Sequence, residues 1–338
     1  MGHEVYFALR PTNEWQGRLD FLSPERFMHN SIRNSFGTFN ARRIGRFVEE
    51  NEIDLVHAHV ARDYLAASIA CRVAKRAKLV LTRHAMVPLK PFHRFALRNV
   101  DAAIAVSPGI QDYLERTFPA SRISLIPNGT ASPGRSIDIR KASGTEFRSF
   151  HNIGTDAPLI ATMGELTVAK GQRDFVLAAN EVVKTIPNCR FVIAGKDDSM
   201  DQKFRRELKR LVRVLGLEDR FLWLDRLQDP IPLFAAADVF VSPSHYESFG
   251  HMILEAIAVG TPVIATETDG AREVLRYPDL LVPVKDPVAL AKKICWLMEN
   301  VELRRDIVER FKLMSAQMFS PEQMIKATER VYCKVLNI

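Results

Sequence analysis

Two carboxylates eight positions apart, Glu247 and Glu255, mark the stretch of this sequence richest in chemistry-bearing groups, HYESFGHMILEAIAVGTPVIATETDGARE over His245–Glu273. Phe249–Val259 has apolar residues at helical spacing, Ser248 or Glu247 stands where an N-cap is expected, and Gly260 is placed to stop the helix. At ~100° per residue, eight positions make a little over two turns, so both carboxylates are expected on one side, about 12 Å apart along the axis. That is the length scale of a phosphosugar. The helix start between them is a ready anion site, because its first N–H groups lack intrahelical partners.

A second cluster closes an earlier apolar run: Met163-Gly164-Glu165-Leu166-Thr167-Val168-Ala169-Lys170-Gly171. Gly164 permits a tight turn, and Lys170 would hold a point charge over the crevice where this loop faces Glu247–Gly250. A Lys-Gly pair before a helix is ordinarily a solvated loop; beside the acidic stretch it becomes an anion-binding candidate. In the first half, His57 and His59 (VHAH), Arg83 and His84 (LTRH), Ser107, and Asn128 with Gly129 (IPNG) end apolar runs. His57 and His59 alternate, so in a strand they share a face. With no third ligand near them, a metal site is not expected. No Asp-x-Asp occurs in the chain, so no carboxylate clamp for a metal is expected either. A bound anion would then be met by Lys170 and backbone amides.

The elements that must position these groups alternate. Apolar runs at Val5–Leu9, Ile53–His57, Lys78–Thr82, Asp101–Val106 and Arg122–Ile126 predict strands in the first half, with helices at Arg42–Asn51, Ala61–Ala77, His93–Asn99 and Pro108–Thr117. The second half predicts strands at Leu159–Met163, Arg190–Ala194, Arg220–Leu224, Asp238–Ser242, Thr261–Thr266 and Leu280–Val284. Its helices are expected at Arg173–Thr185, Gln202–Leu215, Phe249–Val259, Pro287–Asn300, Leu303–Phe319 and Pro321–Leu336. This is an α/β, doubly wound pattern, in which working groups collect at the carboxyl ends of strands. Residues 131–157 are polar, basic and rich in Gly and Ser, and are expected to link two domains, with a short helix near Ile137–Phe150. The first domain would be 1–130 with 320–338, whose last helix crosses back, and the second 158–319. The opening MGHEV resembles a helix end turning into a second strand, with no Gly-rich turn after it. A βα unit of about 25–30 residues is therefore expected to be missing upstream, and with it the first strand and helix of this domain.

Composition narrows the class. With 338 residues, 47% hydrophobic and 26% charged, the chain has material for two cores and no low-complexity tract. No run approaches the ~20 apolar residues needed to span a bilayer. The opening lacks a basic segment followed by an apolar one, so it is not read as a signal peptide. Cys71, Cys189, Cys295 and Cys333 are scattered without a CxxC, which predicts reduced thiols and a cytoplasmic protein. Residues 1–150 hold 22 Lys/Arg against 14 Asp/Glu, and the remainder 25 against 26. The basic first half is expected to meet something anionic, an acceptor or the inner face of a membrane as a peripheral protein; no nucleic-acid motif is present.

Gly164-Glu-Leu-x3-Lys170-Gly171, followed by Glu247-Ser-Phe-Gly-x4-Glu255-Ala-x-Ala-x-Gly260-x-Pro-Val, resembles glycosyltransferase family 4. The resemblance covers nearly the whole chain. It implies the GT-B fold, two Rossmann-like domains facing across a cleft, and retaining transfer from a nucleotide diphosphate sugar without a cofactor. It also implies roles. Glu247 would hold donor-sugar hydroxyls, and Glu255 would grip the ribose. Ser248, Phe249, Gly250 and His251 would surround the donor at the helix start, the last three through amides, and Gly164, Glu165 and Lys170 would line its phosphates. Lys170, Glu247 and His84 would be the catalytic set, with His84 approaching the transferred sugar and His59 and Arg83 beside it on the acceptor side. Asp269 and Gly270 stand where the family often has two glycines, and Glu273 where it often has a glutamate. Glu165 departs from the pattern, since the family usually has Arg there; either it points away, with Arg173 as a candidate partner, or phosphate binding relies on Lys170 and the helix terminus. No residue stands out as a covalent nucleophile. The expected acceptor is a glycan, a lipid-linked sugar or a lipopolysaccharide. Two other readings compete: a GT-B-like sugar-nucleotide epimerase, and a catalytically degenerate protein or partner subunit.

Overall fold

The computed structural model describes residues 2–11, 16–30, 38–86, 97–130 and 137–338 and divides into two compact units. Unit one is Met1–Ile126 with Ile325–Ile338, and unit two is Pro127–Met324.

In unit one, β1 (Phe7–Leu9) and β2 (Phe27–His29) form a two-stranded parallel ribbon, Phe7 opposite Phe27. Helix α1 (Thr38–Glu50) follows, then a four-stranded parallel sheet in the order β3 (Leu55–Ala58), β4 (Lys78–Arg83), β5 (Ala102–Ala105), β6 (Ile123–Leu125). Helices α2 (Tyr64–Ala74) and α3 (Pro108–Glu115) connect β3 to β4 and β5 to β6. Every residue of β5, and all of β4 but its first, is buried, which fits central strands covered on both faces. The sequence predicted one helix over Ala61–Ala77; instead a short 3-10 turn at Ala61–Asp63 precedes α2, and Lys75, at φ +57°, ends it. β2 was not predicted, because three residues are too few for alternation to be visible. Most of the helix predicted at His93–Asn99 lies outside the described residues; 97–99 form a turn.

Unit two includes α4 (Ile137–Phe150), the helix the sequence placed within the connecting segment. It is packed into the unit: the Arg148 guanidinium donates to Ala236 O at 2.9 Å and Asp238 Oδ2 at 2.8 Å, and the same carboxylate oxygen accepts from Leu159 N. Six parallel strands follow: β7 (Leu159–Met163), β8 (Arg190–Ala194), β9 (Phe221–Leu224), β10 (Val239–Ser242), β11 (Val263–Thr266) and β12 (Leu281–Val282). Their order across the sheet is β12-β11-β10-β7-β8-β9, so the winding reverses between β7 and β10. Helices α5 (Gln172–Thr185), α6 (Lys203–Val214), α7 (Ile231–Ala236), α8 (His251–Val259), α9 (Asp269–Leu275), α10 (Pro287–Glu299) and α11 (Val301–Met318) complete the unit. α7 and α9 were not predicted; both are under two turns long. Fully buried Phe175 meets Phe191 and Phe221 edge-on, and each such ring contributes ~2–3 kcal/mol of burial. The last helix, α12 (Pro321–Leu336), starts in unit two, and its residues from Ile325 belong to unit one.

Candidate functional site

In a doubly wound sheet, the loops leaving two adjacent strands whose connections run to opposite sides open a crevice at the carboxyl edge. Here those strands are β7 and β10, and their loops are the two clusters singled out in the sequence. The β7 loop ends in a 3-10 turn, Val168–Lys170, and Gly171 follows at φ +67°. A Cβ on Gly171 would lie 1.9 Å from Pro243 O, so only glycine lets the loops come this close. Their contact is fixed by further bonds: His245 N donates to Ala169 O at 2.8 Å, and His245 Nε2 lies 2.7 Å from Asp174 Oδ2. The outcome is that Lys170 Nζ stands 2.6 Å from Glu247 Oε2, with both side chains half-buried.

The start of α8 differs from the expectation. Neither Ser248 nor Glu247 caps it; Gly250 occupies the N-cap at φ +87° with no side-chain cap, and the helix begins at His251. Glu247 therefore precedes the helix, and the two-turn spacing that would have aligned it with Glu255 does not apply. Its backbone is held from the other side, Gly270 N donating to Glu247 O at 2.9 Å, and a Cβ on Gly270 would fall 2.5 Å from Phe249 N. Phe249 is buried edge-on against Phe319, while the Ser248 hydroxyl reaches Tyr246 Oη at 3.5 Å. Asn128 Nδ2 lies 3.0 Å from His251 Nε2. Burial lowers the His251 pKa, with Glu247 opposing and Lys170 reinforcing. Glu255, on α8, is half-buried, and burial raises its carboxyl above the ordinary range.

Gly164 N donates to Ala194 O at 3.0 Å, and the Lys170 stem passes 3.8 Å from where its Cβ would be. The Glu165 side chain is exposed, and Gln172 Nε2 binds its carbonyl at 2.9 Å. The candidate pairing of Glu165 with Arg173 is not formed among the described residues. Glu273 is taken by Arg276, at 2.7 Å.

Unit one brings its histidines together at the carboxyl ends of β3 and β4. The His57 and His59 ring centroids are 4.1 Å apart, and His59 Nδ1 lies 3.3 Å from His84 Nε2. His57 is tied by Nδ1 to Tyr332 Oη at 2.5 Å and by Nε2 to Thr82 Oγ1 at 2.7 Å. Burial, with His59 and His84 adding to it, lowers its pKa to about 3, and burial lowers that of His59 as well. His84 is exposed at the end of the row. Arg83 is corrected from an acceptor-side group: at 2% exposure its guanidinium lies over the Tyr64 and Tyr113 rings, because the strand turns this side chain into the core. Among the described residues no group of three or more His, Cys, Asp or Glu is placed to hold a metal ion, and no helix is long and apolar enough to cross a membrane.

The sequence marked Asn128 as a strand-end residue and His245 as the start of the acidic stretch without giving either a role, and it did not single out Asp174. Nothing in the spacing of Asp174 and His245, 71 positions apart, joins them.

Comparison with known proteins agrees with this arrangement. A family model described as "Glycosyl transferases group 1" matches residues 143–314, and one described as "Glycosyltransferase Family 4" matches residues 1–131. The chain is 25% identical to N-acetyl-alpha-D-glucosaminyl L-malate synthase of Bacillus anthracis, over 99% of this chain and 90% of that protein. It is 28% identical to the lipopolysaccharide core biosynthesis glycosyltransferase LpsE of Rhizobium meliloti, over 68% of this chain and 63% of that protein. The crystal structure of Anabaena Alr3699/HepE in complex with UDP superposes with a TM-score of 0.77 at 21% identity, covering 92% of this chain and 86% of that one.

Proposed function

Since the chain belongs to the glycosyl transferases group 1 family and has the fold of the GT-B glycosyltransferases, we propose that it moves a sugar from a nucleotide diphosphate sugar to an acceptor hydroxyl with retention at the anomeric carbon. The observation that carries this reading is the Lys170–Glu247 pair at the β7/β10 reversal, beside the start of α8.

In this reading the diphosphate lies across Lys170 and the first amides of α8, which meet its charge in a preorganised setting. Glu247 accepts from sugar hydroxyls, and Glu255 from the ribose. The anomeric C–O bond to phosphate breaks as the acceptor oxygen attacks from the same face, and the departing phosphate oxygen takes the acceptor's proton. Lys170 offsets the negative charge left on the diphosphate. His84 and His59 serve the acceptor, and the reaction runs without a metal or cofactor. HepE was crystallised with UDP, which makes UDP-sugars the first donors to try. The name of LpsE supports a lipopolysaccharide or surface-polysaccharide acceptor, and the basic first half would meet it at the inner face of the membrane.

A panel of UDP- and GDP-sugars assayed for acceptor-dependent nucleotide release tests the proposal. Release that requires an acceptor supports it. Conversion of the donor without acceptor would point to an epimerase, and binding of neither UDP nor GDP would point to a catalytically degenerate protein.

A further inference from the structure

We propose that unit one carries a second anion site, for a phosphate-bearing group, in the basic cavity at the N-terminal edge of the β3–β6 sheet. The cavity has a volume of about 470 Å³ and is lined by Arg72, Lys75, Arg76, Lys78, Arg98 and Arg122, with Asp101 the one carboxylate in its wall. Asp101 is already committed: its Oδ2 accepts from Leu79 N at 2.8 Å and its Oδ1 from Lys78 Nζ at 3.4 Å.

The location separates this cavity from the histidine row. Lys78 opens β4 and Arg83 closes it, so His84 lies about 20 Å away at the other end of the strand. The charge is a local property of the sequence as well. From Tyr64 to Val100 there are eight Lys or Arg and no Asp or Glu, and five of the eight line this cavity. Arg76 meets acids from outside the wall, Asp54 at 2.8 Å and Glu52 at 3.7 Å.

The opposing effect is the carboxyl end of α2, which stops at Ala74 and brings about half a negative charge to the cavity. Six cations against Asp101 in the wall and the two acids that meet Arg76 from outside still outweigh it. The chemistry of the lining selects the ligand class. Four of the six cations are guanidiniums, whose forked donors match the oxygens of a phosphate in pairs, and Val100 O takes one donor of Arg122 at 3.1 Å. A monocarboxylate would leave most of this charge unmet, whereas a diphosphate or a phosphate headgroup matches both charge and volume.

The test uses the full chain carrying Lys170→Ala, which removes the cation proposed to bind the donor. Two probes separate the sources of phosphate: inorganic pyrophosphate by isothermal titration, and co-sedimentation with phosphatidylcholine vesicles with and without phosphatidylglycerol. At least one probe is expected to bind. The pairs Lys75→Gln/Arg98→Gln and Arg72→Gln/Arg76→Gln, on separate stretches of the wall, are each expected to weaken it about tenfold or more without lowering the melting temperature. Binding of pyrophosphate alone identifies a soluble anion, and of vesicles alone a headgroup. The proposal is overturned if neither probe binds, if both double variants keep full affinity, or if all binding disappears with Lys170→Ala.

Discussion

Lys170 Nζ and Glu247 Oε2 lie 2.6 Å apart although 77 positions separate the residues in sequence, because β7 and β10 are neighbours in the sheet. Each charge is half-buried and answered by the other, so removing one leaves its partner uncompensated. Solvent reaches both groups, which limits the stability cost of either Lys170→Met or Glu247→Gln to about 1 kcal/mol. The cost to turnover is expected to be larger, about 100-fold or more for each. The double variant should lose less than the product of the two, which a double-mutant cycle on nucleotide release would measure. Additive losses would mean that the pair does not act as one device.

The approach of the two loops depends on Gly171. Gly171→Ala places a methyl group against Pro243 O in a backbone conformation that disfavours a side chain. The expected outcome is a loss of about 2 kcal/mol or more of stability, read from the urea midpoint, together with reduced turnover. A variant as stable as the parent would show that the loops can separate freely.

Glu165 is exposed on the same loop, so its replacement is expected to leave the fold unchanged. Glu165→Arg replaces a repelling charge with an attracting one near the proposed phosphates and should raise affinity for UDP. Should both Glu165→Arg and Lys170→Ala leave donor affinity where it was, the phosphates do not bind at this loop.

In unit one, His57 carries a pH dependence whose direction is fixed. Its folded-state pKa of about 3 lies below the ordinary 6.5, so the unfolded chain takes up the proton first. The stability it contributes is complete above about pH 6.5 and is lost as pH falls towards 3, by at most about 1.4 kcal/mol per pH unit. His59, also lowered by burial, adds to the trend. His57→Asn, which forfeits its bonds to Tyr332 and Thr82, should be less stable at neutral pH yet lose less on acidification. Melting temperatures across pH 4–8 would check both halves of this expectation.

What could be seen beforehand follows from the range of the interactions. Strands such as Leu159–Met163 and Arg190–Ala194 appear with the bounds the sequence suggested, since a parallel strand buried on both faces is predominantly apolar. Gly260 ends α8 as expected, a local effect of a left-handed residue. The N-terminal side of the same helix was misjudged. Ser248 looks like a cap by composition, but Gly270 packed on Phe249 fixes a turn that delays the helix to His251. That constraint comes from a residue beyond β11 and leaves no local trace. The same holds for Asp174 with His245 and for Arg83, whose burial depends on Tyr64 and Tyr113. Motif positions were legible; the partners that hold them in place were not.

The central claim is that the β7/β10 reversal binds a nucleoside diphosphate through Lys170 and the start of α8. Isothermal titration of UDP and GDP against the parent protein, Lys170→Ala and Glu255→Gln tests it most directly. One of the two nucleotides is expected to bind the parent at one site per chain, about tenfold or more weaker in each variant. Equal affinity in all three proteins, or no binding of either nucleotide to the parent, would contradict it.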